Sequence, residues 1–240
     1  MKKILLLLTA LVMVSSDAFA EEMKHEINAH TGKKMPTRFQ AVTPDKAMIL
    51  QEGENKMYCP KCGMTLPMFY KTNHAAHVDG ESRQYCSIHC LAEAIADGGK
   101  VTGIKVVDNT TLEFIDVIKS WYVVGSSKPG TMTMTSKYAF GKKDDAQKFA
   151  KEHGGKVMTF YALLDSVKST LAQESAMVQK KQAMMAKKGE MMYNEMCTPF
   201  DANFTSTADA KTYLTTQKPC GDIKGPKLQA IGLYLNLRNK

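Results

Sequence analysis

Between Tyr58 and Leu91 the chain gathers Cys59, Cys62, Cys86 and Cys90, with His74, His77 and His89 and with Met64 and Met68. The first thiol pair is spaced C-x-x-C and the second C-x-x-x-C, and 23 residues separate Cys62 from Cys86. Two close-spaced pairs joined by a short segment can converge on one ion, because each pair occupies one tight turn or helix start. Gly63, directly after Cys62, suits a knuckle turn in which a backbone amide approaches a thiolate with no Cβ in the way. The stretch is therefore a metal site or a pair of disulfides. Four thiolates at this spacing suit Zn(II) in a structural knuckle. The methionines point to a softer ion. Met64 lies two residues past Cys62, so one turn can present a thiolate and a thioether, and Met132 and Met134 share a later loop. Thiolate with thioether selects Cu(I), whereas Zn(II) prefers thiolate and imidazole. His74 and His77, three apart, and His89, beside Cys90, are further candidate ligands; for the first two, ordinary surface histidines are the plainer reading.

The six cysteines of this 240-residue chain have to be read together with its compartment. Lys2 and Lys3 precede an apolar run from Ile4 to Val14, and Ala18-Phe19-Ala20 places small residues where a signal peptidase reads them. This predicts a signal peptide over residues 1–20, cut after Ala20, and a periplasmic protein. The run is too short to span a bilayer, so no stable membrane insertion is expected. In an oxidising compartment six cysteines default to three disulfides. That reading stays open for the four clustered thiols, although a C-x-x-C loop is short for a structural bridge. Cys197 and Cys220, with 22 residues between them, read as a disulfide. The formal charge of +8 becomes about +7 once Lys2, Lys3 and Asp17 leave with the signal. The lysines are scattered and have no interleaved aromatics, so no nucleic-acid partner is expected. The charge fits solubility or docking to an acidic partner.

The candidate ligands need elements to hold them. Residues 21–36 are polar and aperiodic and read as a flexible leader, in which His25 and His30 could assist metal capture. Short apolar runs around Pro44 predict a strand and a turn between Thr37 and Gln51. Ser87–Ala96 reads as a helix, with Ile88, Leu91, Ala92 and Ile95 at helical spacing and Gly98-Gly99 as its stop. Cys86 and Cys90 then share one face of its first turn, where amide N–H groups and the helix dipole favour thiolate. Ile104–Val106 and Leu112–Phe114 alternate around Asn109 as a hairpin, and Trp121–Gly125 is a buried strand. Residues 126–140 read as a loop, Asp144–His153 as an amphipathic helix closed by Gly154-Gly155, and Lys156–Phe160 as a last strand. Strand–strand–helix–strand thus recurs over 37–107 and 111–160. The expected fold class is α+β: two small ββαβ units followed by a helical C-terminal module. The stripe Leu163, Leu164, Val167 and Leu171 opens that helical part. A helical linker over 166–187 leads to a small module over 188–240, whose later helices are Lys211–Thr216 and Leu228–Leu237. Met177, Met184, Met185, Met191, Met192 and Met196 fit one helical face only partly and read as packing rather than as a copper relay.

Three blocks, in order, carry a family resemblance. Cys59-Pro60-Lys61-Cys62-Gly63-Met64, then Tyr122-Val123-Val124-Gly125-Ser126 with Gly130-Thr131-Met132, then Ala139-Phe140-Gly141 with Ala146, Phe149-Ala150 and His153-Gly154-Gly155 closely resemble NosL, the accessory copper protein of nitrous oxide reductase. The resemblance spans about residues 37–165. It implies a fold similar to that of organomercurial lyases, with repeated ββαβ units, and Cu(I) binding outside the cytoplasm. It also implies a part in supplying copper to the reductase or its assembly machinery, and, carried over by motif, Cys62, Met64 and Met132 as ligands. Two departures matter. Typical members are lipoproteins, and this chain lacks the lipid-accepting cysteine. It also adds Tyr85-Cys86-Ser87-Ile88-His89-Cys90, which looks like a TRASH-type heavy-metal motif. Cys86 and Cys90 can share the copper site, form a second site with Cys59, or bind another ion.

The C-terminal module is faintly similar to the first and last helices of a small c-type cytochrome, through Gly189-Glu190, Tyr193 and Cys197 and through Leu228 and Ile231-Gly232-Leu233-Tyr234-Leu235. Covalent haem needs a second cysteine three residues on and a histidine after it. Cys197-Thr198-Pro199-Phe200-Asp201 has neither, so no haem is expected. The module reads equally as a relic docking scaffold or as an unrelated helical tail. The resulting expectation is a periplasmic Cu(I) metallochaperone without turnover of its own. Its rival is a structural zinc-knuckle interaction protein. Carbon–mercury cleavage follows only from fold analogy, and no string matches a lyase active site.

Overall fold

The computed structural model describes residues 26–27, 34–35 and 38–238; the expected signal peptide and most of the leader, with His25 and His30, lie outside the described residues. Residues up to Arg38 form one unit, in which β1 (Glu26–Ile27) pairs antiparallel with β2 (Lys34–Met35). The chain from Phe39 onward forms a second.

The second unit is built on one motif used twice. Its first copy is β3 (His74–Val78), β4 (Glu81–Tyr85), α1 (Ile88–Ala96) and β5 (Val101–Val107). After β6 (Phe114–Asp116), which extends the first sheet, come β7 (Trp121–Val124), β8 (Lys137–Phe140), α2 (Lys143–His153) and β9 (Lys156–Thr159). In both copies the first strand is central and pairs antiparallel with the other two, giving sheet orders β4-β3-β5-β6 and β8-β7-β9. The two expected ββαβ units are therefore present.

Their strands are not all where the sequence placed them. In the stretch Thr37–Gln51 there is no strand among the described residues, 38–51, only a 3₁₀ turn at Pro44–Lys46. The opening hairpin is instead β3–β4, in a stretch where neither strand carries a long apolar run. Its signal is Asp79-Gly80, a two-residue turn in which both residues take positive φ, +52° and +87°. β8 emerges from the expected loop over 126–140.

Between the sheets, Val106, Tyr122 and Ala139 meet Ile88 and Ala92 of α1 and Phe160, Leu163, Leu164 and Val167 of α3 (Phe160–Met196). The expected linker and the first helix of the C-terminal module are one continuous helix of 37 residues, about 55 Å long. Its far half packs against α5 (Gly225–Leu237), with α4 (Thr207–Thr216) alongside α5. That module has its own core of Tyr193, Ala210, Leu214, Ile231 and Leu235, and Cys197 is bonded to Cys220. Met192 packs against this core, but Met177, Met184, Met185, Met191 and Met196 are exposed, so the expectation that these methionines pack fails for five of six. Among the described residues no helix is long and apolar enough to cross a membrane.

Candidate metal centre

The first thiol pair sits in a short turn closed by its own backbone. The Cys59 N–H donates to the Met64 carbonyl and the Gly63 N–H to the Cys59 carbonyl, both at 2.8 Å. Gly63 takes φ +70°, and a Cβ there would fall 2.5 Å from Thr207 Cγ2, so turn geometry and close approach both require glycine. Gln51 anchors the entry to the turn, donating to the Tyr58 carbonyl at 2.8 Å while its own Oε1 accepts from the Gln84 N–H. Cys86 follows directly on β4, and Cys90 lies in the first turn of α1. Hairpin, helix start and turn thus deliver four sulfurs to one point.

All four Sγ atoms lie within 4.8 Å of one another. Cys62 and Cys86 are 3.4 Å apart, and Cys86 and Cys90 are 3.7 Å apart. A tetrahedral ion with sulfur bonds near 2.3 Å holds its ligands about 3.8 Å from one another, so a small soft ion fits with little rearrangement. The thiols are reduced and buried, none more than 3% exposed. Burial opposes ionisation of Cys59. Hydrogen bonds from Cys62, Cys86 and Cys90 and from the Cys86 backbone outweigh it and hold the Cys59 thiol well below its usual range. Burial, and the donation of their protons to neighbouring sulfurs, push Cys86 well above it; for Cys90 the sulfur contacts act first and burial second. An ion that binds here must therefore displace protons that Cys86 and Cys90 hold firmly.

Met64, Met68 and Met132 pack, partly buried, against the same cluster. Met132 is held in a left-handed conformation, φ +67°, in a loop fixed at its start by Gln40, which donates to the Pro129 and Gly130 carbonyls. Thr72 Oγ1 lies 2.8 Å from the Cys86 carbonyl and 2.9 Å from Thr131 Oγ1, tying that loop to the thiol-bearing strand end. Met134, two residues on, is 86% exposed.

The histidines stand apart from the sulfurs. His74 is buried, with Nδ1–H donating to the Thr72 carbonyl at 3.1 Å and Nε2 accepting from the Tyr122 hydroxyl at 2.9 Å. Both nitrogens are used, and burial pushes its pKa down to about 4. His77 is on the exposed part of β3, beside Ser82. His89, 1% exposed, lies between carboxylates, 3.4 Å from Glu93 and 3.5 Å from Glu174, where it joins α1 to α3. The remaining departure from the sequence reading is an addition. Lys211 and Gln229 of the C-terminal module reach the backbone of the Cys62–Thr65 turn. Nothing in their neighbouring residues signals it.

Comparison with known proteins gives three results. No curated protein matches the chain. Among solved structures, the crystal structure of the copper chaperone NosL from Shewanella denitrificans is similar at 24% identity, over 52% of this chain and 95% of that one, with a TM-score of 0.38. The sequence model of the NosL family matches residues 51–168. That segment, which holds all four clustered thiols together with Met64 and Met132, is of the NosL family.

Proposed function

We propose that the chain is an exported Cu(I) metallochaperone that holds copper at the thiol cluster and passes it to an acceptor in the periplasm. The observation that carries this reading is the convergence of four reduced, buried thiols with Met64 and Met132 on one apolar cluster, inside a NosL-family segment. Copper is cargo here, and the protein has no turnover of its own. Thiolates give affinity, and the partly buried thioethers of Met64 and Met132 give weaker soft ligands at the edge of the cluster. An ion shared with a thioether can be attacked by an incoming ligand and leave by exchange. The acceptor is a copper reductase or its assembly machinery, and the family resemblance names nitrous oxide reductase.

One observation favours a second reading. Four thiols with almost no exposure form the closed arrangement of a structural Zn(II) site, whereas exchange needs an open position. Anaerobic titration of the full chain with Cu(I) against a chromogenic chelator, with Zn(II) in parallel, separates the two. The chaperone binds Cu(I) tightly, and Met64→Ala and Met132→Ala each weaken Cu(I) by about tenfold while leaving Zn(II) unchanged. Firm Zn(II) binding with both methionine variants silent toward Cu(I) would establish the structural knuckle instead.

A further inference from the structure

Lys211, on α4, is a lysine with 1% exposure. Its three donors are all engaged: Nζ donates to the Gly63 carbonyl at 2.6 Å, to Thr65 Oγ1 at 3.1 Å and to Gln229 Oε1 at 2.9 Å. It also lies over the Tyr58 ring, 4.3 Å from the centroid. Gln229, on α5, closes the arrangement by donating from Nε2 to the Cys62 carbonyl at 2.9 Å. Both helices make room for it: Gly232 of α5 runs so close that a Cβ would meet Lys211 Cγ at 2.6 Å, and Thr207 of α4 fills the space over Gly63. The Asn55 amide, upstream of the turn, donates to Asp209 of α4.

A buried ammonium is costly unless a charge or a full set of hydrogen bonds compensates it. Here every hydrogen-bond acceptor is a neutral oxygen. Burial pushes the Lys211 pKa down to about 7, and the thiols of Cys62, Cys59 and Cys86, once ionised, act in the opposite direction. Four thiolates around Cu(I) or Zn(II) leave the centre net negative, and a positive charge against its backbone side offsets that excess. The same contacts hold the carbonyls of Cys62 and Gly63, and so fix the direction in which the Cys62 and Met64 side chains leave the turn.

We propose that the C-terminal helical module is a working part of the metal centre, with Lys211, oriented by Gln229, as a positioning residue that fixes the Cys62–Thr65 turn and supplies the counter-charge to the metal–thiolate cluster. The ion then exchanges on the side of Met64 and Met132, because α4 and α5 cover the backbone side of the turn. This rests on the cluster binding a soft ion, whether or not that ion is copper.

The test uses the full chain, anaerobic and with its four free thiols reduced, and two probes: Cu(I), and Cd(II), whose thiolate charge-transfer absorption reports the sulfur ligands directly. Lys211→Met keeps the length of the side chain and removes its charge and donors; it is expected to weaken both ions by about tenfold or more and to shift the Cd(II) band. Gln229→Ala, which leaves Lys211 in place, is expected to do the same to a smaller degree and keeps the test available if Lys211→Met does not fold. Leu214→Ala, a cavity variant in the module's own core, is the control: it lowers the thermal midpoint and leaves both affinities of the folded protein unchanged. Unchanged affinities in Lys211→Met and Gln229→Ala, or equal losses in the Leu214→Ala control, would overturn the proposal and leave a structural pin. Cd(II) binding without tight Cu(I) binding in the parent protein would sink the copper reading alone, and the Cd(II) data would still decide the role of Lys211. A parent that binds neither ion overturns both.

Discussion

The two ββαβ units share a topology and differ in what fills them. In the second, Val123, Tyr138, Phe140 and Ala146 form the centre, with Phe39, Trp121 and Phe149 against them. Aromatic edges close the layer, with ring centroids 5.2 Å apart for Phe39–Tyr138 and 5.1 Å for Phe140–Phe149. In the first, the corresponding place holds Cys59, Cys62, Cys86 and Cys90 among Leu66, Phe69, Tyr85 and Leu91. The decisive difference lies where the second strand enters the helix. That junction is Cys86-Ser87 in the first unit and Gly141-Lys142 in the second. One frame thus supports two kinds of core: hydrocarbon packing fills the second unit, and four buried thiols that could hold an ion fill the first.

The largest effect should come from exchanging what the two cores depend on. Cys86→Ser removes one of four thiolates and is expected to lower metal affinity on the order of a hundredfold or more, since a structural site of this kind derives roughly 10–16 kcal/mol from four ligands. Phe140→Ala, at a side chain 4% exposed, is expected to cost about 3–5 kcal/mol of stability and leave the affinity of the folded protein unchanged. Amide exchange then sharpens the contrast. Metal loading should slow exchange in β4 and α1 and leave β7, β8 and β9 as they were. Equal protection of both units would break the comparison, because the two would then open as a single cooperative body.

The units meet at His74 of β3 and Tyr122 of β7, stacked with centroids 5.9 Å apart and joined by the Nε2 hydrogen bond. Burial holds His74 neutral in the folded state, with its pKa near 4 against 6.5 when free. Between those values the unfolded chain takes up a proton that the folded chain does not. Stability is therefore complete above about pH 6.5 and falls progressively as pH drops to about 4, by on the order of 3 kcal/mol in all. His74→Gln should remove that part of the pH dependence, as read from denaturant midpoints between pH 7 and 4. An identical slope in variant and parent would show that other groups carry the acid sensitivity and that the joint is not its source.

Local chemistry was legible and long-range assembly was not. The convergence of the four cysteines could be read because each pair lies within one turn or helix start, where spacing dictates geometry. The doubled unit could be read from helices with clear apolar stripes and double-glycine stops, even though β3 and β4 carry no clear strand pattern and β8 lies in the expected loop over 126–140. Those strands are short and carry alanine, histidine and serine in place of apolar runs, so period-2 patterning is weak, and only Asp79-Gly80 announced the first hairpin. Lys211 and Gln229 had no such signal. They meet the cysteine turn across 148 and 167 positions of chain, and a lysine in a polar helix reads as solvated until the fold buries it.

The double glycines that stop α1 and α2 allow the finest comparison of the two copies. Gly98-Gly99 and Gly154-Gly155 hold equivalent places, each before the third strand of its unit. A Cβ on Gly99 would meet Val78 Cγ1 at 2.9 Å, and that valine is a side chain on the rim of β3 that can turn aside. A Cβ on Gly155 would meet the Val124 carbonyl oxygen at 2.8 Å and the Ser126 nitrogen at 3.0 Å, which are backbone atoms of or next to the central strand, and Gly155 also holds φ +97°. Gly155→Ala therefore combines a forbidden backbone conformation with a contact that cannot relax and should cost about 2–3 kcal/mol. Gly99→Ala should cost about 1 kcal/mol or less. Chemical denaturation of the two variants ranks them directly. A larger loss at Gly99 would mean that the helix stop in the thiol-bearing unit is the more tightly built of the two, and that the thiol core already holds its frame without an ion.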